Sequence, residues 1–343
     1  MTPNTIHLSD NLEALRKLPS DCIDCIITDS PYGLGKPPDI LKVLKAWIEF
    51  GYYEVVGNGF MGKKWDVYVP QPILWKEAYR VLKPGGYLLS FFGTRTYHVG
   101  TLAIAIAGFE IRDKIDWIYG SGFPKSKSCL KPGHEPICVA RKPGPLKQLN
   151  IDECRVAVSA SDPELDINRK NPRHGRTIGG NGKYGGGIEM VTSLNPNGRW
   201  PANIILDENA GGEMNEQSGM SGGDKRKVKL QQGANGEIAF TTHKQGSLTP
   251  CYNDFGGASR FFYCAKASPA ERAGSKHPTI KPIRLIRYLV KLYSKPGDVV
   301  ADMHMGSGTT IEACILEGRK YWGVDADHDS YKDTMNRISK YNL

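Results

Sequence analysis

Apolar positions recur along this chain in two patterned regions separated by a stretch with little periodicity. Over residues 1–125, short apolar runs alternate with segments of three-to-four spacing. The runs 23–28 and Tyr87-Leu88-Leu89-Ser90-Phe91-Phe92 predict buried strands, while Asp10 to Leu18, 72–82 and 97–107 predict helices. From about Ala258 the alternation returns, with strands predicted at 260–264, 298–302 and 320–325 and helices at 283–293, 309–317 and 329–340. Strands alternating with helices predict an α/β fold, a mostly parallel doubly wound sheet with helices on both faces. Residues 126–257 interrupt it. They hold 20 of the 39 glycines and few periodic runs besides Trp200 to Leu206, as a loop-rich inserted module would. The expected division is therefore 1–125, 126–257 and 258–343. No repeat of fixed period runs through the chain.

Two of the predicted strands end on residues that carry chemistry. Cys25-Ile26-Ile27-Thr28 leads into Asp29-Ser30-Pro31-Tyr32, leaving an acid and an aromatic ring at a strand rim. Val299-Val300-Ala301 leads into Asp302-Met303-His304-Met305-Gly306-Ser307-Gly308-Thr309-Thr310, a strand-to-helix turn of small residues where a ligand could approach the backbone. An open α/β sheet gathers such ends in one crevice. The spacing disfavours two common ligands. A dinucleotide fingerprint needs a third glycine where this chain has Thr310-Ile311. The stretch Gly180-Asn181-Gly182-Lys183-Tyr184 lacks both the hydroxyl that a phosphate loop places on magnesium and a strand leading into it.

With these residues in place, the chain resembles the S-adenosylmethionine-dependent amino DNA methyltransferases of the permuted β class. In that class an Asp-Pro-Pro-Tyr-like motif comes first, then a target-recognition region, then the cofactor motifs. His7-Leu8-Ser9-Asp10-Asn11-Leu12-Glu13-Ala14-Leu15, Val81-Leu82-Lys83-Pro84-Gly85-Gly86, His277-Pro278-Thr279-Ile280-Lys281-Pro282 and Gly323-Val324-Asp325 resemble further family blocks in family order. Gly59 to Asp66 and Gly257 to Tyr263 resemble phage-type members.

The resemblance implies a Rossmann-like class I methyltransferase fold, circularly permuted, acting on a base flipped out of double-stranded DNA. Methylating an exocyclic amine is hard because the nitrogen lone pair is delocalised into the ring. An Asp carboxylate and a backbone carbonyl that accept from both amino hydrogens would pull the nitrogen toward tetrahedral geometry and aim its lone pair at the sulfonium methyl. By resemblance these are the Asp29 side chain and the Ser30 carbonyl, with Pro31 fixing the turn and Tyr32 stacking on the base. The cofactor set is Asp10, Asn11, Asp29, Thr279, Lys281, Asp302, His304, Gly306, Ser307, Gly308 and Asp325. Within it Asp302 meets the ammonium and Asp325 the ribose hydroxyls. Asp29 points to adenine N6, since relatives that methylate cytosine N4 usually begin the motif with Ser. N4-cytosine is the alternative.

The chain departs from the family at two positions. Ser30 stands where most relatives have proline, a change tolerable where a backbone carbonyl does the work, and His304 stands where relatives usually have Phe. A protonated imidazole beside a sulfonium would make cofactor affinity weaken below about pH 6.5; the alternative is that the ring is a neutral packing residue. These departures also leave open a catalytically weakened DNA-binding protein of the same fold, or an RNA substrate.

Composition adds less. At 343 residues the chain can hold one α/β domain and a second module. Net charge is +9, which favours a polyanionic partner, but residues 126–257 hold 17 Lys and Arg against 14 Asp and Glu, so the excess is not gathered in a tail. The expected DNA contacts are Arg169, Lys170, Arg173, Arg176, Lys183, Lys225, Arg226 and Lys227, basic residues on glycine-rich loops. The eight cysteines are irregularly spaced and point to a reducing compartment, and Cys22-Ile23-Asp24-Cys25 reads as strand entry, with no metal site expected. No apolar run approaches ~20 residues, and no signal pattern opens the chain. The resulting expectation is a soluble protein of the bacterial or phage-infected cytosol, without a membrane, acting on duplex DNA as a homodimer, as relatives often do.

Overall fold

The computed structural model describes residues 1–57, 59, 64–120, 130–156, 198–220, 256–265 and 281–341. In chain order the elements are β1 (Thr5–Leu8), α1 (Asn11–Arg16), β2 (Ile23–Asp29), α2 (Ile40–Phe50), α3 (Pro72–Val81), β3 (Leu82–Phe91), α4 (Tyr97–Ile106), β4 (Glu110–Ile118) and β5 (His134–Arg141). There follow β6 (Ile204–Asp207), α5 (Glu208–Ser218), β7 (Tyr263–Ala265), α6 (Ile283–Tyr293), β8 (Val299–Asp302), α7 (Thr309–Leu316), β9 (Lys320–Asp325) and α8 (His328–Ser339). The predicted run at 260–264 splits: Ala258–Phe261 is a 3-10 turn and the strand begins at Tyr263.

The strands form one sheet in the order β1-β9-β8-β2-β3-β5-β4-β6-β7, in which only β5 runs against the others. Alternate residues of the central strands face opposite layers. Ile26 and Leu88 join Trp47, Trp75 and Ala103 of α2, α3 and α4 on one face, while Cys25, Ile27 and Leu89 join Leu289 and Cys314 of α6 and α7 on the other. Both faces are thus covered by helices, which is why these strands read as continuous apolar runs. The sheet is doubly wound, as predicted.

Strand β8 lies beside β2, with Val300 level with Cys25 and Ala301 with Ile26, although about 270 residues separate them in the chain. From β8 the chain continues outward to β9, and from β2 it continues the other way to β3, so the order reverses between the two central strands. That reversal opens a crevice beyond their carboxyl ends.

Contacts divide the chain into two compact units. One comprises Met1–Cys154, Pro201–Gly211 and Phe262–Leu343; the other comprises Arg155–Trp200 and Gly212–Phe261. The boundary expected at 125 falls inside the first unit, because β5 pairs along its length with β3 and β4, and β6 with β4. Most of the glycines that suggested a module there lie outside the described residues. In the second unit an antiparallel bridge joins Val156 to Arg199, and the guanidinium of Arg260 lies 4.2 Å from the Phe261 ring centre.

Candidate active site

Four neighbouring parallel strands deliver an acid to one edge of the sheet. Asp10 follows β1, Asp325 ends β9, Asp302 ends β8 and Asp29 ends β2, in that spatial order. Each acid has a different environment.

Asp10 is exposed and caps α1, its Oδ1 accepting from the Glu13 backbone N–H at 3.0 Å. Asp325 is half-buried, and each of its oxygens takes a backbone N–H, Oδ2 from Gly306 and Oδ1 from Asp327, both at 2.9 Å. The first of these bonds ties the β8–α7 turn to the end of β9. The turn is fastened on its other side by α8: Thr334 Oγ1 donates to the Gly306 carbonyl at 2.9 Å and Arg337 Nε to the Ser307 carbonyl at 2.7 Å. Gly306 and Gly308 both adopt left-handed backbone, φ 49° and 78°. A Cβ on Gly308 would also stand 2.7 Å from the Thr334 side chain, so this glycine answers to helix packing, a reason the motif alone does not suggest.

Asp302 is buried, and its Oδ1 accepts from Thr28 Oγ1 at 2.8 Å and from the His304 backbone N–H at 3.0 Å. Burial pushes its carboxyl up to about 6, against the hydroxyls of Thr310 and Thr28 and the His304 amide; no lysine or arginine among the described residues stands beside it. The Thr28 bond adds a side-chain link between β2 and β8 to their backbone pairing.

His304 continues that link. Thr28 gives its hydroxyl proton to Asp302, so its oxygen is left to accept from His304 Nδ1 at 3.0 Å. His304 Nε2 then accepts from Asn11 Nδ2 at 2.9 Å. Asn11 Nδ2 also donates to the Met303 carbonyl at 3.4 Å, which fixes the amide orientation. Every hydrogen in this chain has a direction, and a second proton on the imidazole would face the Asn11 amino group. Burial accordingly holds His304 down to about 4, despite the nearby Asp10. Of the two roles expected for His304, this lowering favours the neutral packing residue over a titration near pH 6.5.

Asp29 is half-buried. Its Oδ2 accepts from Lys281 Nζ at 2.7 Å, whereas Oδ1 is inaccessible and has no hydrogen-bond partner among the described residues. Lys281 also donates to the Tyr32 hydroxyl at 3.1 Å and stands 3.1 Å from Glu135 Oε2. The Tyr32 hydroxyl donates to the same Glu135 oxygen at 2.7 Å. Burial works against the charge on Lys281, but Asp29 and Glu135 together hold it above the ordinary lysine range. Burial also pushes the Asp29 carboxyl up, against the pull of Lys281. Lys281, expected at the cofactor, is thus found on the predicted catalytic acid. Glu135 was not singled out by sequence, and no local motif marks it.

The loop after β2 is held from several sides. Ser30 is buried with its hydroxyl 2.8 Å from that of Ser90 on β3, so the serine that replaces a proline turns its side chain into the sheet. Thr96 Oγ1 donates to the Tyr32 carbonyl, and Asp66 accepts from the backbone N–H groups of Gly33 and Leu34. Pro31 and Tyr32 are half-buried at the rim. Thr279 and all eight expected DNA contacts (Arg169, Lys170, Arg173, Arg176, Lys183, Lys225, Arg226 and Lys227) lie outside the described residues. No group of three or more His, Cys, Asp or Glu among the described residues could hold a metal ion, and none of the described helices is long and apolar enough to cross a membrane.

The profile of a family described as DNA methylase, of the N6/N4 type, matches residues 23–336. The Type II methyltransferase M.HpaI of Haemophilus parainfluenzae is 23% identical over 340 residues, covering 97% of this chain and 74% of that protein. The DNA adenine methyltransferase YhdJ of Escherichia coli (strain K12) is 24% identical over 339 residues, covering 97% and 82%. Among solved structures, the PvuII DNA methyltransferase, cytosine-N4-specific, shares the fold with a TM-score of 0.51 at 12% identity, covering 100% of this chain and 89% of that one.

Proposed function

The chain belongs to the N6/N4 DNA methylase family, S-adenosylmethionine-dependent enzymes that methylate an exocyclic amino group in DNA, and from that premise we propose that it methylates the N6 of adenine. The observation that carries the reading is Asp29 Oδ1: a buried carboxylate oxygen with no partner among the described residues, at the end of β2, beside Asp302 at the end of β8. An unsatisfied acceptor of this kind is costly unless a ligand completes it.

The donor set fits S-adenosylmethionine. Its ammonium and sulfonium are cationic and its ribose presents two hydroxyls, so a crevice edged by acids suits it. Asp302, buried without a cation, is placed for the ammonium, and Asp325 and Asp10 with Asn11 for the ribose and adenine. Gly306, Ser307, Gly308 and His304 shape the turn that faces it. When bound, the cofactor supplies an electrophilic methyl carbon. Asp29 Oδ1 and the Ser30 carbonyl accept from the two amino hydrogens of the target and localise its lone pair. Tyr32 stacks on the base, and Lys281 favours the ionised form of Asp29 against the effect of burial. The basic residues expected within 126–257 position the DNA, in a cytosolic homodimer that extrudes its target base; these belong to the same proposal.

Because Asp302 takes up a proton near pH 6, cofactor affinity is expected to fall as pH drops through about 6. His304, neutral down to about 4, contributes nothing to that fall. Calorimetric titrations between about pH 5 and pH 8 should show the same acid limb in the native protein and in His304→Phe; its disappearance in His304→Phe would return the titration to the imidazole.

The choice of adenine rests on Asp29 heading the tetrapeptide, where cytosine-N4 relatives usually carry Ser, and the family allows both. Methylated DNA digested to nucleosides and resolved by mass should contain N6-methyladenine. N4-methylcytosine as the product would overturn the adenine reading.

A further inference from the structure

Glu135 lies at the start of β5, the one strand that runs against the rest, so the beginning of β5 meets the edge where the parallel strands end. The Phe92 backbone N–H bonds to the Pro136 carbonyl at 3.0 Å, which sets Glu135 just beyond the end of β3 and opposite the loop after β2. Its side chain is 17% exposed, and a single oxygen, Oε2, receives both the Tyr32 hydroxyl at 2.7 Å and Lys281 Nζ at 3.1 Å. The Lys281 ammonium also lies 5.4 Å from the centre of the Tyr32 ring and 5.2 Å from that of Phe91.

Two carboxylates share one ammonium in this cluster. A lysine facing Asp29 alone could straddle both oxygens of the carboxylate, since an ammonium carries three donors. Here the second acid draws it aside: Lys281 reaches Asp29 only at Oδ2, and the buried Oδ1 is left without a partner among the described residues. The Tyr32 ring has two rotatable side-chain bonds, and its hydroxyl is fixed at the far end by accepting from Lys281 and donating to Glu135.

We propose that Glu135 is a positioning residue for methyl transfer: its Oε2 pins the Tyr32 hydroxyl and draws Lys281 to one side of Asp29, keeping the ring in its stacking place and leaving Oδ1 unpaired for the target amino group. The proposal rests on the site reading given above. Because one carbonyl-type oxygen makes both contacts, glutamine retains them and alanine removes them.

The test uses the full chain, labelled S-adenosylmethionine and DNA, with kcat and KM measured for the native protein, Glu135→Gln, Glu135→Ala, Tyr32→Phe and the Tyr32→Phe/Glu135→Ala double variant. Glu135→Ala is expected to lower kcat at least about 30-fold with both KM values within about threefold, and Glu135→Gln to recover to within about fivefold of the native rate. The double variant should be no slower than the slower single one, since both remove the same hydrogen bond. A kcat for Glu135→Ala within threefold of native, a glutamine no better than alanine, or losses that simply multiply in the double variant would each overturn the proposal. Glutamine is nearly isosteric, so its result stands even where alanine unfolds the chain. Label counting is blind to which base carries the methyl group: a cytosine product would overturn the adenine reading and leave the Glu135 result intact.

Discussion

Replacing Asp29 with asparagine is expected to lower methyl transfer to DNA at least about a thousandfold, while cofactor affinity stays within about tenfold. The size of the effect follows from the orientation the amide must take. Lys281 Nζ sits 2.7 Å from Asp29 Oδ2 and keeps its charge, so an asparagine at this position turns its oxygen toward the ammonium. Its amino group then occupies the place of Oδ1, the oxygen without a partner among the described residues. A donor would face the target amino group where an acceptor is required, so the variant both loses the interaction that localises the lone pair and gains a repulsive contact. Removing one preorganised polar group from such a site costs about a hundred- to a thousandfold, and reversing its polarity costs more. Lys281 retains Glu135 as a partner, so the fold should survive. Single-turnover transfer of labelled methyl to DNA, beside calorimetry of cofactor binding, checks both halves. Activity above about a tenth of native would remove Asp29 from the chemistry.

The parts of this site that were legible in the sequence are those that buried parallel strands write plainly. β2, β8 and β9 are covered on both faces, so each reads as an apolar run, and each stops at an acid: Asp29, Asp302 and Asp325. The helix from Asn11 to Arg16, with Asp10 as its cap, and that from Ile283 to Tyr293 were equally plain from their spacing. Other elements left weaker or misread marks. β1 is an edge strand of four residues, and β4 alternates Ile111, Asp113, Ile115 and Trp117 with charged neighbours. Helix α2 carries its own local signals, an Asp39 cap and a left-handed Gly51 at its end. β5 was lost to composition, because its apolar run from Pro136 to Ala140 sits next to glycine-rich sequence and was taken with it. Glu135 could not have been found locally, since one acid before a proline resembles a turn. Only the antiparallel pairing of β5 with β3 brings it to Tyr32. His304 differs again: its type allows a titration, and the burial that lowers its pKa, like the hydrogen-bond chain from Asn11 to Asp302, is formed by three separate segments.

Asp302→Asn should move binding and stability in opposite directions. Unfolded, the Asp302 carboxyl has an ordinary value of 3.8, and in the fold burial raises it to about 6. The folded state therefore holds the proton more tightly, and ionising this group opposes folding increasingly as pH rises from about 4 through about 6. Two pH units correspond to roughly 3 kcal/mol, present in full above about pH 7 and absent below about pH 4. Asparagine has the same shape and no charge, and its oxygen can still accept from Thr28 Oγ1 and the His304 backbone N–H, as Oδ1 does now. The variant should thus be more stable than the native protein at pH 8, by up to roughly 3 kcal/mol, with the gain shrinking toward zero near pH 4. Cofactor affinity should fall at least about a hundredfold at pH 8, because a buried charge-assisted contact to the ammonium is lost, and its dependence on pH should flatten. Denaturant unfolding at the two pH values and calorimetry at pH 8 measure the two effects separately. A variant that binds as the native protein does would remove Asp302 from the cofactor. One that is less stable at pH 8 would show that the carboxylate is compensated within the fold, and no ligand would be needed to explain why an unpaired acid is buried at the end of β8.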